Sequence, residues 1–310
     1  MPHVSCQSVN LDTSNDGNDW MNTMMPVLAA SAAVRTRPPA EWLPGRSAIP
    51  FDEVLLAAER LGRWRIGATV AYRPLRDETP RRIAQRLQAS LAPLAGLRTN
   101  AQLLVQVATL GHDRILLDEV LCAADAAGVA VTLDLPAPER TDALLACAIA
   151  LRQDHADLGL SLSCDRDRSL ADADTACTLG LRLRLVQERR HETGAARKAS
   201  AQAFARMVEQ IAGRACHVTL VCHDPQIVTD SVARLRTAGT PVALELLPEL
   251  PHQGVLWVAR THHLPIRSCV GYGHPQSTAY VGPTAHTPRV LWWSTLSNSL
   301  GTLLPTAGHA

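Results

Sequence analysis

From residue 51 onward, apolar runs of five to eight residues alternate with stretches in which Ala, Leu and charged residues recur at helical spacing. Continuously apolar runs are typical of parallel strands that are buried on both faces. The pattern predicts strands at 65–72, 103–109, 130–134, 158–163, 181–186, 217–222, 241–246 and 265–270. It predicts helices at 51–61, 78–91, 113–127, 140–152, 169–177, 193–211, 225–237, 250–261 and 288–303. Eight successive strand–helix units predict the α/β class and a closed (β/α)8 TIM-type barrel.

An open, doubly wound sheet is the alternative architecture. It is disfavoured because no G-x-G-x-x-G sequence follows any of the strands and no Walker A sequence occurs. Residues 1–50 are rich in Ser, Asn, Asp and Pro and show no periodicity, which predicts a flexible N-terminal arm. A short amphipathic helix ending at Gly62 should follow the arm. We therefore expect two parts, an arm at 1–50 and a single barrel domain at 51–310.

Composition narrows the functional classes. The chain has 310 residues, with 30 Lys and Arg against 29 Asp and Glu, a net charge of +1 that argues against a nucleic-acid partner. No apolar run reaches the length of a transmembrane helix, and the apolar stretch at 27–34 is too short for a secretory signal. We therefore expect a cytoplasmic protein. Lys198 is the only lysine, and the eight cysteines form no C-x-x-C pair, so a disulfide framework or structural zinc is not expected.

The carboxyl ends of the predicted strands carry the candidate chemistry, because barrel enzymes place their sites there. His223, Asp224, Glu245 and Asp134 could converge on a metal, but strand one lacks the H-x-H of amidohydrolase-like barrels. Capping of the helix that begins at Pro225 is the better interpretation of Asp224. A nucleophilic triad is disfavoured, since there is no G-x-S-x-G sequence and Cys222 and His223 are sequence neighbours on a strand.

Two arginines, Arg184 and Arg267, interrupt apolar strands and must find anionic or carbonyl partners. Those partners could be Asp134 or Glu245 in an internal salt bridge, or a ligand with negative charge or electron-rich oxygens that His223 also contacts. Gly271-Tyr272-Gly273 follows the last predicted strand. It could be a phosphate-holding loop or a plain tight turn.

Several of these segments resemble the proline dehydrogenase family, whose members are FAD-dependent distorted (β/α)8 barrels. Val131-Thr132-Leu133-Asp134 is similar to the family's third strand, and Arg184-Leu185-Val186 begins like its R-L-V-K-G-A-Y run. Val221-Cys222-His223-Asp224 is similar to its A-T-H-N segment, Ala243–Leu247 to its E-F-Q-M-L segment, and Ile266–Gly273 to its V-R-x-Y-V-P-Y-G strand. The resemblance covers most of residues 60 to 280.

The resemblance implies that FAD is the cofactor and that a small amine or amino acid is the substrate. Flavin-binding positions would be Arg184, Val186, His223, Asp224 and Glu245. Substrate-binding positions would be Asp134, Arg267, Tyr272 and Tyr280. No catalytic residue and no metal ligand is assigned, and the electron acceptor is unknown.

The chain departs from the family at several functional positions. Gln106 stands where the family has a lysine, Ser163 where it has a flavin-contacting glutamine, and Gln187-Glu188-Arg189-Arg190 replaces K-G-A-Y. The family's final helix carries R-R-x-x-E, whose arginines clamp the proline carboxylate. No such sequence follows Tyr280, and Arg289 comes several residues too late.

Three functions are therefore open. The first is a flavoprotein oxidoreductase that acts on the CH–NH group of proline or a related cyclic or secondary amine and passes a hydride to FAD. The second is a catalytically inactive barrel that serves as a binding or regulatory protein. The third is a metal-dependent hydrolase or isomerase.

Overall fold

The computed structural model describes residues 49–75, 77–134, 141–155, 157–166, 168–187, 194–247 and 253–274. The strands within these ranges are β1 (Gly67–Arg73), β2 (Ala101–Gln106), β3 (Ala130–Asp134), β4 (Leu158–Ser163), β5 (Arg182–Val186), β6 (Val218–Val221), β7 (Val242–Leu246) and β8 (Ile266–Gly273). The helices are α1 (Phe51–Arg63), α2 (Pro80–Ala95), α3 (Arg114–Ala127), α4 (Thr141–Arg152), α5 (Ser169–Thr178), α6 (Gly194–Ile211), α7 (Pro225–Thr237) and α8 (Gln253–Thr261).

The eight strands form a closed parallel barrel in sequence order, and β8 pairs with β1 to complete the ring. A helix follows each strand from β1 to β7, and the ring is closed, so the (β/α)8 TIM-type architecture predicted from the sequence is confirmed. The expected arm at 1–50 lies almost wholly outside the described residues, as does the helix expected at 288–303.

Local sequence accounts for the helix boundaries. Asp113 and Asp224 accept hydrogen bonds from the first backbone amides of α3 and α7, and Thr79 does so for α2. Gly128 ends α3 with a φ of 67°, a left-handed conformation that glycine adopts without strain. Helix α1 continues through Gly62 to Arg63, so the expected stop at that glycine is wrong.

Strand β8 is longer than predicted. Gly271, Tyr272 and Gly273 continue its pairing with β1, and Gly273 forms both backbone hydrogen bonds with Ile49. These residues are therefore strand, and neither a phosphate-holding loop nor a tight turn. Gly273 has a φ of 90°, and a Cβ at this position would come within 2.1 Å of the Arg73 carbonyl oxygen. Only glycine can occupy it.

Helix α1 packs against β8 and β1 and buries Val54, Ala57, Ala58 and Leu61 against the outside of this seam. Lys198 lies exposed on α6. The seven cysteines in the described ranges are all free. Within the part of the chain that the structure describes, no helix is long and apolar enough to cross a membrane.

Candidate functional site

Arg184 lies in the middle of the barrel interior and is almost fully buried, with 2% of its surface exposed. Its Nε donates to Glu245 Oε1 over 3.0 Å, and its Nη2 contacts the same oxygen. Its Nη1 donates to Ser161 Oγ over 3.0 Å and lies 3.9 Å from Asp134 Oδ1. Of the two interpretations of this arginine, the structure therefore shows the internal salt bridge.

Glu245 is completely buried and links this pair to a second layer of polar groups. Its Oε2 accepts a hydrogen bond of 2.8 Å from Thr69 Oγ1, which in turn accepts one of 2.8 Å from Gln102 Nε2. Arg182 donates to Gln102 Oε1 over 3.3 Å. A continuous hydrogen-bonded network thus runs from β7 across the interior to β1, β2 and β5.

Arg267 lies at the amino-terminal end of the barrel, because it pairs with Gly67, the first residue of β1. Its Nη2 donates to the carbonyls of Ala68 and Asn100, and its Nη1 donates to Asn100 Oδ1. Burial, reinforced by the charge of Arg182, lowers the pKa of Arg267 to about 10 even though Glu245 acts in the opposite direction. The resemblance implies that Arg267 contacts the substrate. The structure instead places Arg267 at the end of the barrel opposite the carboxyl-terminal mouth.

An apolar layer covers the Arg184–Glu245 pair on the carboxyl-terminal side. It consists of Ala71, Leu104, Val186, Val221, Leu247 and Cys269, each no more than 8% exposed. Val186 follows Arg184 by two residues and Leu247 follows Glu245 by two, so each lies on the same strand face one layer nearer the mouth. Val186 is therefore part of the filled interior.

His223 lies at the carboxyl-terminal edge, immediately beyond β6, and is half-buried. Its Nε2 is 3.1 Å from the backbone nitrogen of Leu247, which donates to it. Because Nε2 accepts this hydrogen bond, the proton of the neutral ring is on Nδ1. Of the positions that the resemblance implies for the flavin, His223 and Asp224 present polar side chains at the edge of the mouth. Asp224 serves as a helix cap, whereas His223 does not.

Asp224 caps helix α7, as the sequence analysis favoured. Its Oδ1 accepts from the backbone amides of Gln226 and Ile227, and its Oδ2 accepts from Arg197 over 2.6 Å. Burial alone would raise its pKa, but the bond from Arg197 and the two backbone bonds lower it overall. Both carboxylate oxygens of Asp224 thus accept hydrogen bonds from the protein itself.

Tyr272 lies outside the barrel, between the strands and the helices. Its ring centroid is 4.8 Å from that of Phe51 on α1 and 4.7 Å from that of Tyr72 on β1. Burial raises the pKa of Tyr272 to about 12. The structure therefore does not bring Tyr272 to the mouth where the resemblance implies a substrate contact, and Tyr280 falls outside the described residues.

The proposed metal ligands do not form one centre. Glu245 and Asp134 both face the Arg184 guanidinium, Asp224 caps a helix, and His223 accepts from the backbone. A barrel hydrolase site built from these four residues therefore has no geometric support, and the positively charged guanidinium occupies the place between the two buried carboxylates.

Arg73, to which neither the residue pattern nor the family resemblance assigns a role, lies at the mouth. It ends β1 on the same strand face as Thr69 and Ala71, so its side chain is directed toward the barrel axis. Its guanidinium packs over Gly271, where a Cβ would approach its atoms to between 3.2 and 3.3 Å. In the described part of the chain, no hydrogen bond or ion pair engages this guanidinium. The strand alternation was the signal that could have identified it.

The positions that depart from the family also lie near this end. Gln106 ends β2 and is half-buried, and Ser163 ends β4 and is buried. Gln187 follows β5, where its Oε1 accepts from the thiol of Cys222 and its Nε2 contacts Ser200 Oγ at 3.5 Å. Cys222 is itself 1% exposed and belongs to the core.

Comparison with known proteins yields similarity in structure alone. No family model matches the chain, and no curated protein matches it in sequence. A variant of proline utilization A from Bradyrhizobium japonicum is similar with a TM-score of 0.55 and 14% identity, over 72% of this chain and 28% of that one. Proline utilization A from Bdellovibrio bacteriovorus, inactivated by N-propargylglycine, has a TM-score of 0.58 and 11% identity, over 71% of this chain and 30% of that one.

A further structure of proline utilization A, with proline bound in remote sites, has a TM-score of 0.53 and 13% identity and covers 77% of this chain and 28% of that one. The chain thus spans less than a third of each of these proteins. At such identities the likeness shows a proline-dehydrogenase-like fold and nothing finer.

Proposed function

We propose that this chain is a proline-dehydrogenase-like barrel that no longer oxidises a substrate through flavin and instead binds a small molecule that carries a carboxylate at its carboxyl-terminal mouth. The observation that carries the first half of this proposal is the Arg184–Glu245 pair. The guanidinium that the resemblance assigns to the flavin is bonded to a carboxylate and a hydroxyl inside the barrel.

The energetics favour keeping Arg184 where it is. Withdrawing its guanidinium toward the mouth would leave the carboxylate of Glu245 buried without its counter-charge, and breaking a buried pair in this way costs about 3–5 kcal/mol. The side chain would also have to pass the apolar layer that contains Val186 and Leu247. In this arrangement neither Arg184 nor Val186 fits the flavin contact that the family resemblance implies.

The mouth nevertheless keeps a cationic group. Arg73 is half-buried, its fork of N–H donors lies over the bare backbone of Gly271, and no described residue pairs with it. A planar guanidinium of this kind binds carboxylates or phosphates through two parallel hydrogen bonds. The ligand class that fits is a small carboxylate, of which an amino acid such as proline is the simplest probe, and His223 lies at the same end as a second polar contact.

The competing function is FAD-dependent oxidation of proline or a related cyclic or secondary amine. His223 favours it, because the histidine of the family's A-T-H-N segment is a flavin contact and His223 lies at the mouth with its proton on Nδ1. FAD would accept the hydride in such a reaction. The chain's own contribution would be to orient the ring through His223.

One set of measurements on the purified full chain separates the two functions. We expect a colourless protein whose absorbance and fluorescence show no saturable FAD binding, and which does not reduce added FAD in the presence of L-proline. A yellow protein, or saturable binding of FAD, would contradict the proposal, and bleaching by L-proline or another cyclic amine would establish the oxidoreductase.

The binding half of the proposal is tested by calorimetric titration with L-proline. We expect saturable binding to the native chain and to Arg63→Ala, which removes an exposed arginine at the end of α1. Arg73→Ala should weaken binding by about tenfold or more, the loss expected for a charge-assisted bond of about 1.5–3 kcal/mol. Equal binding by the two variants would exclude Arg73 from the site.

A further inference from the structure

A cluster of potential metal ligands lies away from the mouth, at the other end of the barrel. It comprises Asp118 and Cys122 on α3 and His155 in the turn before β4, and the three donor atoms lie within 4.8 Å of one another. Cys122 lies in the second half of α3, which leads into the start of β3, and His155 precedes the start of β4. The cluster is therefore on the amino-terminal side of the barrel and is independent of the function proposed above.

Helical spacing brings three of the side chains together. Asp118, Cys122 and Asp125 are separated by four and three residues, so they line one face of α3. Asp118 is half-buried and Cys122 and Asp125 are exposed, whereas His155 is 3% exposed and reaches this face from below. A buried imidazole is thus directed at an accessible thiol and two carboxylates.

The two ring nitrogens of His155 face different partners. Nδ1 contacts Asp125 Oδ2, and Nε2 is 3.2 Å from Asp118 Oδ1. A carboxylate that accepts the Nδ1 proton of a histidine fixes the ring and makes Nε2 a better ligand, which is the usual second-sphere arrangement at zinc sites. Asp125 is placed to provide that carboxylate, and with the ring proton on Nδ1 the other nitrogen, which lies beside Asp118, would be the ligand atom.

We propose that Asp118, Cys122 and His155 bind a Zn²⁺ ion, with Asp125 as the second-sphere partner of His155 and water in the fourth position. Nitrogen, sulfur and carboxylate oxygen are the donors that zinc takes in proteins, at about 2.0–2.3 Å. Tetrahedral coordination at those lengths brings ligand atoms to roughly 3.3–3.8 Å from one another. The donors span at most 4.8 Å, so rotations of the accessible Asp118 and Cys122 side chains suffice.

The same geometry has one other physical explanation, a protonated His155 held between two carboxylates as a purely structural ion pair. The two differ in the part played by Cys122. The ion pair does not use the thiol, whereas the metal site requires it as a thiolate ligand. Replacing Cys122 therefore distinguishes them without disturbing the core, since this side chain is exposed.

Titration of the reduced, metal-free full chain with Co²⁺ tests the proposal. We expect one saturating equivalent, with a thiolate-to-cobalt charge-transfer band and the visible bands of a tetrahedral ion, and Zn²⁺ should displace the cobalt. Cys147→Ser, which alters a partly buried cysteine on α4, should behave like the native chain. Cys122→Ser should lose the charge-transfer band.

Asp125→Asn separates the second-sphere residue from the ligands. It should weaken Co²⁺ binding about 10- to 100-fold while keeping the charge-transfer band, because Asp125 acts through His155. An absent band in the native chain, or the same band in Cys122→Ser, would overturn the zinc site and leave the ion pair. Neither result would bear on binding at the mouth.

Discussion

The two ends of the barrel interior differ in what they do with polar groups. Toward the amino-terminal end, Arg182, Arg267, Gln102 and Thr69 are joined by hydrogen bonds that continue to Glu245 and Arg184. Toward the carboxyl-terminal end, an apolar layer comes first, and the described polar side chains beyond it include Arg73, Gln106 and His223. Barrel enzymes place their chemistry at the carboxyl-terminal end. Among the residues that the structure describes, the buried charges of Arg184, Glu245 and Arg267 lie on the other side of the apolar layer, where they are satisfied by the protein itself.

Three arginines illustrate how the height along a strand decides the role of a side chain. Arg267, at the amino-terminal end, donates to carbonyl groups of neighbouring strands, and Arg184, in the middle, binds a carboxylate. Arg73, at the mouth, is the one of the three without a bonded partner among the described residues. The difference indicates that the inner two stabilise the barrel, and that Arg73 is the group available for a ligand.

The largest effect should follow from removing the carboxylate of the central pair. Glu245→Leu removes the carboxylate that is directly hydrogen-bonded to the buried Arg184 guanidinium and leaves only the longer 3.9 Å contact with Asp134, and we expect a loss of about 3–5 kcal/mol in the free energy of unfolding, measured by urea denaturation. A loss below about 1 kcal/mol would show that water reaches this pair, and the contrast between the two ends would fail.

A triple replacement controls for general damage to the core. Arg184→Met combined with Glu245→Leu and Asp134→Asn removes all three buried charges of this cluster, and well-packed apolar residues often replace a buried ion pair without loss. We expect this triple variant to be clearly more stable than Glu245→Leu. If the single variant does not fold at all, recovery of folding in the triple variant supports the same conclusion.

An effect of intermediate size is the pH dependence of stability that we expect from His217 at the amino-terminal end. Burial lowers the pKa of His217 to about 4, the charges of Arg182 and Arg267 act in the same direction, and Asp157 opposes them. Between pH 6.5 and about 4, the unfolded chain binds a proton that the folded chain does not, so stability falls as the pH is lowered through this range. A pKa difference of this size corresponds to at most about 3 kcal/mol.

Replacement of the histidine checks this assignment. His217→Leu should reduce the loss of unfolding free energy between pH 6.5 and 4 relative to the native chain, because the titrating group is gone. His262→Gln, at a partly exposed histidine just after α8, should leave the native dependence in place. Identical pH profiles for all three proteins would show that the amino-terminal end tolerates a further positive charge.

Much of the barrel could be predicted from the chain because strand periodicity and helix caps are local. The predicted bounds of β3, β4 and α7 coincide with those observed, and the cap at Asp224 was identifiable from the following proline. The end of β8 could not be predicted from the chain, since two glycines in three residues are typical of a turn. Glycine is needed at these two positions because of contacts with another strand: Gly271 accommodates the Arg73 side chain, and Gly273 lies against the backbone of β1.

The candidate site was harder to predict for a related reason. The sequence offered both an internal partner and a ligand for Arg184, and its actual partner Glu245 is 61 residues away on a strand that is not adjacent. The position of Arg267 depends on the register of β8 against β1, which periodicity does not fix. The proposed zinc ligands form no recognisable motif, because His155 is 37 residues from Asp118.

The smallest loss of stability should come from replacing Asp224 at the carboxyl-terminal edge. This replacement tests whether Asp224 acts as a helix cap or as a ligand contact. Asp224→Ala removes the acceptor for the Gln226 and Ile227 amides and should cost about 1 kcal/mol of unfolding free energy, whereas Asp224→Asn should cost much less because asparagine caps equally well. Asp230→Ala, at an exposed position on the same helix, serves as the control. If alanine and asparagine were equally harmful, the ion pair with Arg197 would matter more than the cap. Since exposed pairs contribute little, we expect the cap to dominate, which places Asp224 with the residues that build the mouth rather than with those that bind there.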